Sequence, residues 1–198
     1  MTFDDGPFIY TNELLDILEE HEVRATFFIN GDSAGQIGDY TEAVQRAFDA
    51  GHQIASHTWH HVDLATQTNI EIEYQMSHLD EVLKDIIGVR PRYMRPPYGS
   101  LSENARKKLI NMGYEIVSWS VDTNDWRHPT NVWESMKAYR MAVLQRHRGQ
   151  FIVLQHETIM NTVRKLVPAA IKMLKAKGFQ IVPVGACLGV EPDDWYRE

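Results

Sequence analysis

Cysteine is nearly absent: Cys187 stands alone among 198 residues. A single thiol excludes an internal disulfide and any cysteine-rich zinc module. Long apolar runs are missing too. The longest span only a few residues, as at 151–154, far short of the roughly 20 a helix needs to cross a bilayer. Basic residues are in deficit, with 20 Lys and Arg against 27 Asp and Glu and a net charge of −7. An acidic chain without a basic run is poorly suited to nucleic-acid phosphates. No linker, repeat or low-complexity segment divides the chain, so one domain is expected over 1–198. No basic, apolar, small-residue leader is visible ahead of Thr2-Phe3-Asp4-Asp5-Gly6-Pro7, so no signal peptide is read. The first strand looks cut short, and the strand bearing Asp4 and Asp5 is expected to be poorly anchored.

What is present is ordinary in bulk: 43% hydrophobic and 24% charged residues, the balance of a soluble globule. A domain of this length buries roughly 70% of its unfolded surface and needs no metal or disulfide merely to fold. Short apolar stretches alternate with helical patterns. Thr11 is a candidate N-cap for a helix with the stripe Leu14, Leu15, Ile17 and Leu18. Further helices are expected over 40–50, 69–87, 102–112, 131–146 and 163–177. Gly51, Gly88, Gly113 and Gly178 stand at or near the ends of four of them, where a left-handed residue stops a helix. The inner face of 69–87 reads Ile72, Met76, Leu79, Leu83 and Ile86. Strands are expected over 25–29, 53–56, 93–95, 115–121, 151–155 and 180–184, besides the first. About seven strands alternating with helices point to parallel pairing with right-handed crossovers. A distorted (β/α) barrel and an open doubly wound sheet both fit.

The chemistry collects after the strands. Asp4 and Asp5 follow the first, and His57, His60 and His61 the third. Arg95 ends the fourth, Asp122 and Asp125 follow the fifth, and His156 the sixth. Parallel α/β folds place their sites at the carboxyl ends of strands, so these groups should meet at one rim. In His57-Thr58-Trp59-His60-His61, imidazoles at i and i+4 on a helical turn face one way and can share a metal; His57 with His60 is a second geometric option. Asp4 and Asp5, adjacent on a strand, point in different directions, so one can ligate a metal while the other acts as a base. Taken alone, Asp-Asp-Gly-Pro is the composition of a polar turn. Two His and one Asp suit catalytic zinc, or cobalt or manganese.

These segments resemble the five ordered motifs of the polysaccharide deacetylases, the NodB-homology domains of carbohydrate esterase family four. The motifs are Thr2-Phe3-Asp4-Asp5-Gly6-Pro7, His57-Thr58-Trp59-His60-His61, Arg95-Pro96-Pro97-Tyr98-Gly99, Asp122-Thr123-Asn124-Asp125-Trp126 and Leu154-Gln155-His156. The wording of several, with Cys187-Leu188-Gly189 and Trp195-Tyr196-Arg197, is similar to fungal chitin deacetylases. The resemblance implies a distorted barrel and a metal-dependent N-deacetylase acting on β-1,4-linked N-acetylglucosamine. Alternatives with the same site are a peptidoglycan deacetylase and an acetylxylan esterase; an inactive carbohydrate-binding domain and a small-molecule deacylase are more distant ones.

By motif position the resemblance makes Asp5, His57 and His61 the ligands of one divalent ion, zinc first. Asp4 would be the general base, oriented by Arg95, and His156 the acid that protonates the departing amine, supported by Asp125. The backbone N–H of Tyr98 would help hold the oxyanion, and Trp126 and Leu154 would wall the acetyl pocket. Trp59, Tyr98, Trp126 and Trp133 are candidate sugar platforms, and Asp122 is expected to shape its turn. His60 would line the groove or face solvent. Val62 stands where relatives often have proline. His21 falls near a helix end, and His52, His78, His128 and His147 have no matching partners and read as surface or supporting residues. The resemblance also implies a secreted or cell-wall-associated protein, a carbohydrate partner and a monomer. It further suggests a partner for Cys187 upstream of the first strand.

Overall fold

The computed structural model describes residues 1–145 and 149–198. His147 and the end of the helix expected over 131–146 lie outside the described residues. Five strands form one parallel sheet: β1 (Thr2–Gly6), β2 (Thr26–Ile29), β3 (Gln53–Ser56), β5 (Tyr93–Met94) and β6 (Glu115–Ile116), in that order. A second parallel pair, β7 (Val121–Asp122) with β8 (Val153–Leu154), continues the wall. The expected strand 115–121 is thus split, its first part bonded to β5 and its end to β8. The ring closes where the Asp4 N–H donates to the Gln155 carbonyl at 3.0 Å and Asp4 bridges His156 in parallel. The seven parallel strands make a distorted barrel in a single α/β domain. An antiparallel pair, β4 (Arg90–Pro91) with β9 (Tyr196–Arg197), ties down the C-terminal end.

Barrel strands touch side chains on both faces, which is why β2 and β3 are buried at all four positions rather than alternating. The helices α1 (Thr11–Glu20), α2 (Thr41–Asp49), α3 (Asn69–Ile87), α4 (Glu103–Asn111), α5 (Val132–Gln145) and α6 (Val167–Ala176) follow the strands. Their expected apolar stripes face inward; on α3 Ile87 is buried and Ile86 only partly so. Gly88 ends α3 at φ +81°, a left-handed conformation that strains any residue with a Cβ.

Three expectations need correction. Thr11 is not the N-cap of α1, since that position is Tyr10 without a side-chain bond. The Thr11 hydroxyl accepts from the Phe8 N–H and donates to Glu157 Oε2 instead. The segment 180–184 is not a strand. Pro183 has no N–H, and the next two amides go to side chains, Val184 to Thr26 Oγ1 and Gly185 to Gln53 Oε1. A short helix, α7 (Val184–Cys187), starts there. Finally, β1 is not weakly held: it bonds β2 on one flank and the 155–157 segment on the other. Cys187 is half-buried and unpaired among the described residues.

Candidate active site

The strand exits align by register. Ile29 stands opposite Ser56, and Ser56 opposite Met94, so the residues that follow reach the same rim. Between Asp4 and Gly6 the β1–β2 register slips by one residue, leaving Asp5 bulged out at φ 70°. A bulge re-aims a side chain, and this one turns Asp5 outward while Asp4 stays beneath, 2% exposed.

Asp5 Oδ1 lies 3.4 Å from His57 Nε2 and 3.2 Å from His61 Nε2. One ligand atom from each of the three lies within 4.8 Å of the others. The histidines do not sit on one helical turn, as the spacing suggested. The 57–61 segment is a loop that reverses through Thr58 at φ 72° and His61 at φ 54°, and that reversal brings the two rings to 5.0 Å. The loop is pinned from both sides. Asn30 Nδ2 donates to the carbonyls of His57 and Thr58 at 2.6 and 2.9 Å, and the Gln75 carbonyl and side chain accept from the Trp59 and His60 amides. His57 Nδ1 faces the Arg95 carbonyl at 2.7 Å; an N–H there leaves Nε2 free as a ligand. Burial alone would raise the Asp5 carboxyl. The facing imidazoles of His57 and His61, with the charges of His57 and His156, outweigh it and hold Asp5 well below the usual carboxylate range. Its Oδ1 is buried without a conventional hydrogen-bond partner. An orphaned carboxylate oxygen converging with two imidazole nitrogens fits a divalent cation, and nitrogen–oxygen donors of this kind suit zinc.

Two pairs flank the triad. On one side Arg95, fully buried, donates to Asp4 Oδ1 at 2.6 Å and to Thr2 Oγ1 at 2.8 Å. Asp4 Oδ2 is 3.8 Å from His57 Nε2. On the other side His156 Nε2 is 4.0 Å from Asp5 Oδ2, while its Nδ1 is 2.8 Å from Asp125 Oδ1. Burial works to lower the His156 pKa, but the hydrogen bond and charge of Asp125, with the charges of Asp5 and Asp4, push it up to about 9. The Asp125 pairing thus favours the imidazolium form, which can donate a proton.

The remaining predicted residues divide. Tyr98, at φ 60° and 71% exposed, sets its ring 4.7 Å from His61. Leu154 lies on β8, and Trp126, half exposed, follows Asp125 directly and donates its N–H to it. Asp122 Oδ1 accepts from the Asn124 N–H at 2.7 Å, an Asx turn as expected. His60 turns away from the triad to Asp32, 3.6 Å off. Trp59 covers Gly31, where a Cβ would lie 1.8 Å from its ring, and packs on His78. Trp133 is exposed on α5, under Arg140. His21 follows α1, and His78 is exposed. His52 was expected at the surface or in support and is instead 4% exposed in the wall, accepting from the Ala25 N–H at 3.1 Å.

Sequence reasoning passed over Asn30, Glu157 and Thr162. Glu157 is buried under Gly6, where any Cβ would collide with its carboxyl. Burial, aided by the charges of Asp5 and Asp4, pushes it up to about 8 against the Thr11 hydrogen bond. Its place directly after His156 was the one available signal. A cavity of about 1360 Å³ opens at the other end of the barrel, beside Arg24, His52 and Trp195, and no motif aspartate or triad histidine lines it.

Comparison with known proteins agrees with the fold. Residues 1–117 match the polysaccharide deacetylase family. The chain is 43% identical to a chitin deacetylase of Pestalotiopsis sp, over all of this chain and 65% of that protein. It is 36% identical to a peptidoglycan-N-acetylglucosamine deacetylase of Bacillus cereus, over 92% of this chain and 65% of that one. The solved chitin deacetylase of Colletotrichum lindemuthianum superposes with a TM-score of 0.95 at 37% identity, covering 99% of this chain and 89% of that one. The chain spans between 45% and 82% of the length of the curated relatives it matches, and less than two thirds of most of them.

Proposed function

The chain belongs to the polysaccharide deacetylase family, and on that premise we propose that it hydrolyses N-acetyl groups from β-1,4-linked N-acetylglucosamine, with chitin or its oligomers as substrate. The observation that carries this reading is the flanking of one three-residue ligand set by two opposed proton-transfer pairs, Arg95–Asp4 and Asp125–His156.

Asp5, His57 and His61 would hold one divalent ion, zinc in the first instance. Bound there, the ion supplies Lewis acidity toward an acyl oxygen and activates water near neutral pH. Asp4 takes a proton from the attacking water, and Arg95 holds the carboxylate in one orientation. As the carbonyl carbon becomes tetrahedral, the Tyr98 N–H helps hold the developing oxyanion. The C–N bond then breaks, and His156 delivers its proton to the amine nitrogen, since an unprotonated amide nitrogen is a poor leaving group. Acetate and a glucosamine unit leave. Trp126 and Leu154 wall the acetyl methyl, and Trp59, Tyr98 and Trp133 are the candidate sugar platforms. The same reading makes the protein a monomer that works outside the cell or at the cell wall.

Mass spectrometry of chitin oligomers incubated with zinc-loaded protein tests this. Stepwise loss of acetyl groups, abolished by a chelator and restored by zinc, is the expected outcome. The Bacillus cereus relative makes peptidoglycan the second substrate to try. Acetate from peptidoglycan or acetylated xylan alone would move the substrate but keep the site. Activity that survives complete metal removal would overturn the mechanism.

A further inference from the structure

The Asp125 carboxylate accepts four hydrogen bonds while 2% exposed. Oδ1 receives His156 Nδ1 at 2.8 Å and the Trp126 N–H at 2.9 Å. Oδ2 receives the His156 N–H at 2.8 Å and the Thr162 hydroxyl at 2.7 Å. Three donors come from Trp126 and His156, which flank the carboxylate directly. The fourth comes from elsewhere. Thr162, itself 2% exposed, opens the π-helical turn Thr162–Leu166 ahead of α6. Such turns insert one residue into a helix and are frequent at functional sites. The neighbouring Asn161 donates to the Pro129 carbonyl at 2.8 Å, so this turn clamps the loop carrying Asp125 at two points.

A carboxylate can rotate about its terminal bond, and that rotation decides which oxygen meets the imidazole. Removing the hydroxyl leaves Oδ2 with one backbone donor and a space on its far side. We propose that Thr162 is a positioning residue: its hydroxyl fixes the rotation of the Asp125 carboxylate, and through it the Nδ1–H bond to Oδ1 and the direction of the His156 ring. The inference rests on the assignment of His156 as the proton donor to the leaving amine. Thr162 touches neither substrate nor metal ligand. Its effect belongs on kcat, because the amine takes its proton only as the C–N bond breaks.

Thr162→Ser and Thr162→Ala form the decisive pair. Both lose the methyl, and they differ only in the hydroxyl. In the zinc-loaded protein, Thr162→Ala is expected to lower kcat for acetate release from chitin oligomers roughly tenfold with KM unchanged, and Thr162→Ser to recover most of it. With ¹⁵N-labelled histidine, the His156 ring should keep its Nδ1–H signal in wild type and Thr162→Ser, and lose or average it in Thr162→Ala. Equal kcat in Ser and Ala variants, or an unchanged ring signal in Thr162→Ala, overturns the inference and leaves only packing. Should Thr162→Ala fail to fold, Thr162→Val keeps the side-chain volume without the donor and carries the same comparison against wild type. His156→Ala separates this from the wider reading. If it leaves acetate release intact, the role of His156 fails first; if it abolishes release while Thr162→Ala is silent, only the Thr162 inference falls.

Discussion

Arg95 heads the fully buried side chains by volume, and its surroundings explain how Asp4 can serve as a base under a metal site. The guanidinium lies 4.0 Å from the Phe28 ring centroid and donates to Asp4 and Thr2. Burying a charge is tolerable only with such partners, and breaking a buried pair costs about 3–5 kcal/mol. Asp4 and Asp5 differ in what they meet: Asp5 Oδ1 faces two imidazoles, and Asp4 Oδ1 faces a guanidinium. Asp4→Asn should therefore lower kcat by about 10²–10⁴-fold and leave zinc affinity, measured by calorimetry, within a few-fold of wild type. His61→Ala should instead lose the zinc heat. Zinc binding lost in Asp4→Asn would make Asp4 a ligand. That these groups would meet could be read from the sequence, because Asp, His and Arg carry their chemistry with them and stand after strands; the division of roles between Asp4 and Asp5 came from the family resemblance. Asn30, Glu157 and Thr162 could not be read in this way. Amide, carboxyl and hydroxyl groups occur throughout the chain, and apart from the place of Glu157 beside His156 only their contacts distinguish these three.

The helices are the legible elements and the short strands the illegible ones. A long helix repeats its apolar period several times, as α3 does from Ile72 to Leu83. A two-residue strand such as β5 or β8 has no period to read, and its ends depend on where a neighbour's amides fall. The same limit explains 180–184, whose apolar residues read as a strand although Thr26 and Gln53 side chains take the amides that follow. The loop 57–61 escaped for another reason: left-handed Thr58 and His61 have no propensity signal. Helix ends can be read when their caps are local. Thr68 accepts from the Glu71 N–H at 3.3 Å, and Glu71 Oε2 accepts from the Thr68 N–H at 2.8 Å, a capping box at the start of α3. Thr68→Ala should cost about 1 kcal/mol, or roughly 3 °C in the thermal midpoint for a domain this size. Acetate release should not change, because the cap lies in an exposed turn. A lowered kcat at an unchanged midpoint would mean that α3 transmits to the 57–61 loop through Gln75.

Across the whole barrel, the proposed chemistry sits at the carboxyl ends of the strands and a separate titrating group sits at the other end. His52 precedes β3, with Nδ1 accepting from the Ala25 N–H and its ring 5.3 Å from that of Phe27. Burial pulls its pKa from 6.5 down to about 4, helped by the charges of Arg24 and Arg46. Arg46 is itself paired with Asp16 and Glu19 on α1. The sign follows from the two states. Below pH 6.5 the unfolded chain takes up a proton at this histidine that the folded chain refuses until about pH 4. Stability is therefore complete above pH 6.5 and drains away between 6.5 and 4, by as much as about 3 kcal/mol from this one group. Asparagine offers an uncharged acceptor for the Ala25 amide that does not titrate. His52→Asn should be less stable than wild type at pH 7.5, with the gap in urea-unfolding free energy closing as the pH falls to 4. A gap that stays constant over that range would mean that His52 is already charged in the folded wall, and the burial argument would fail. Because His52 lies in the wall away from the ligand triad, the zinc affinity of the variant at pH 7.5 should match wild type, which separates loss of fold from loss of site.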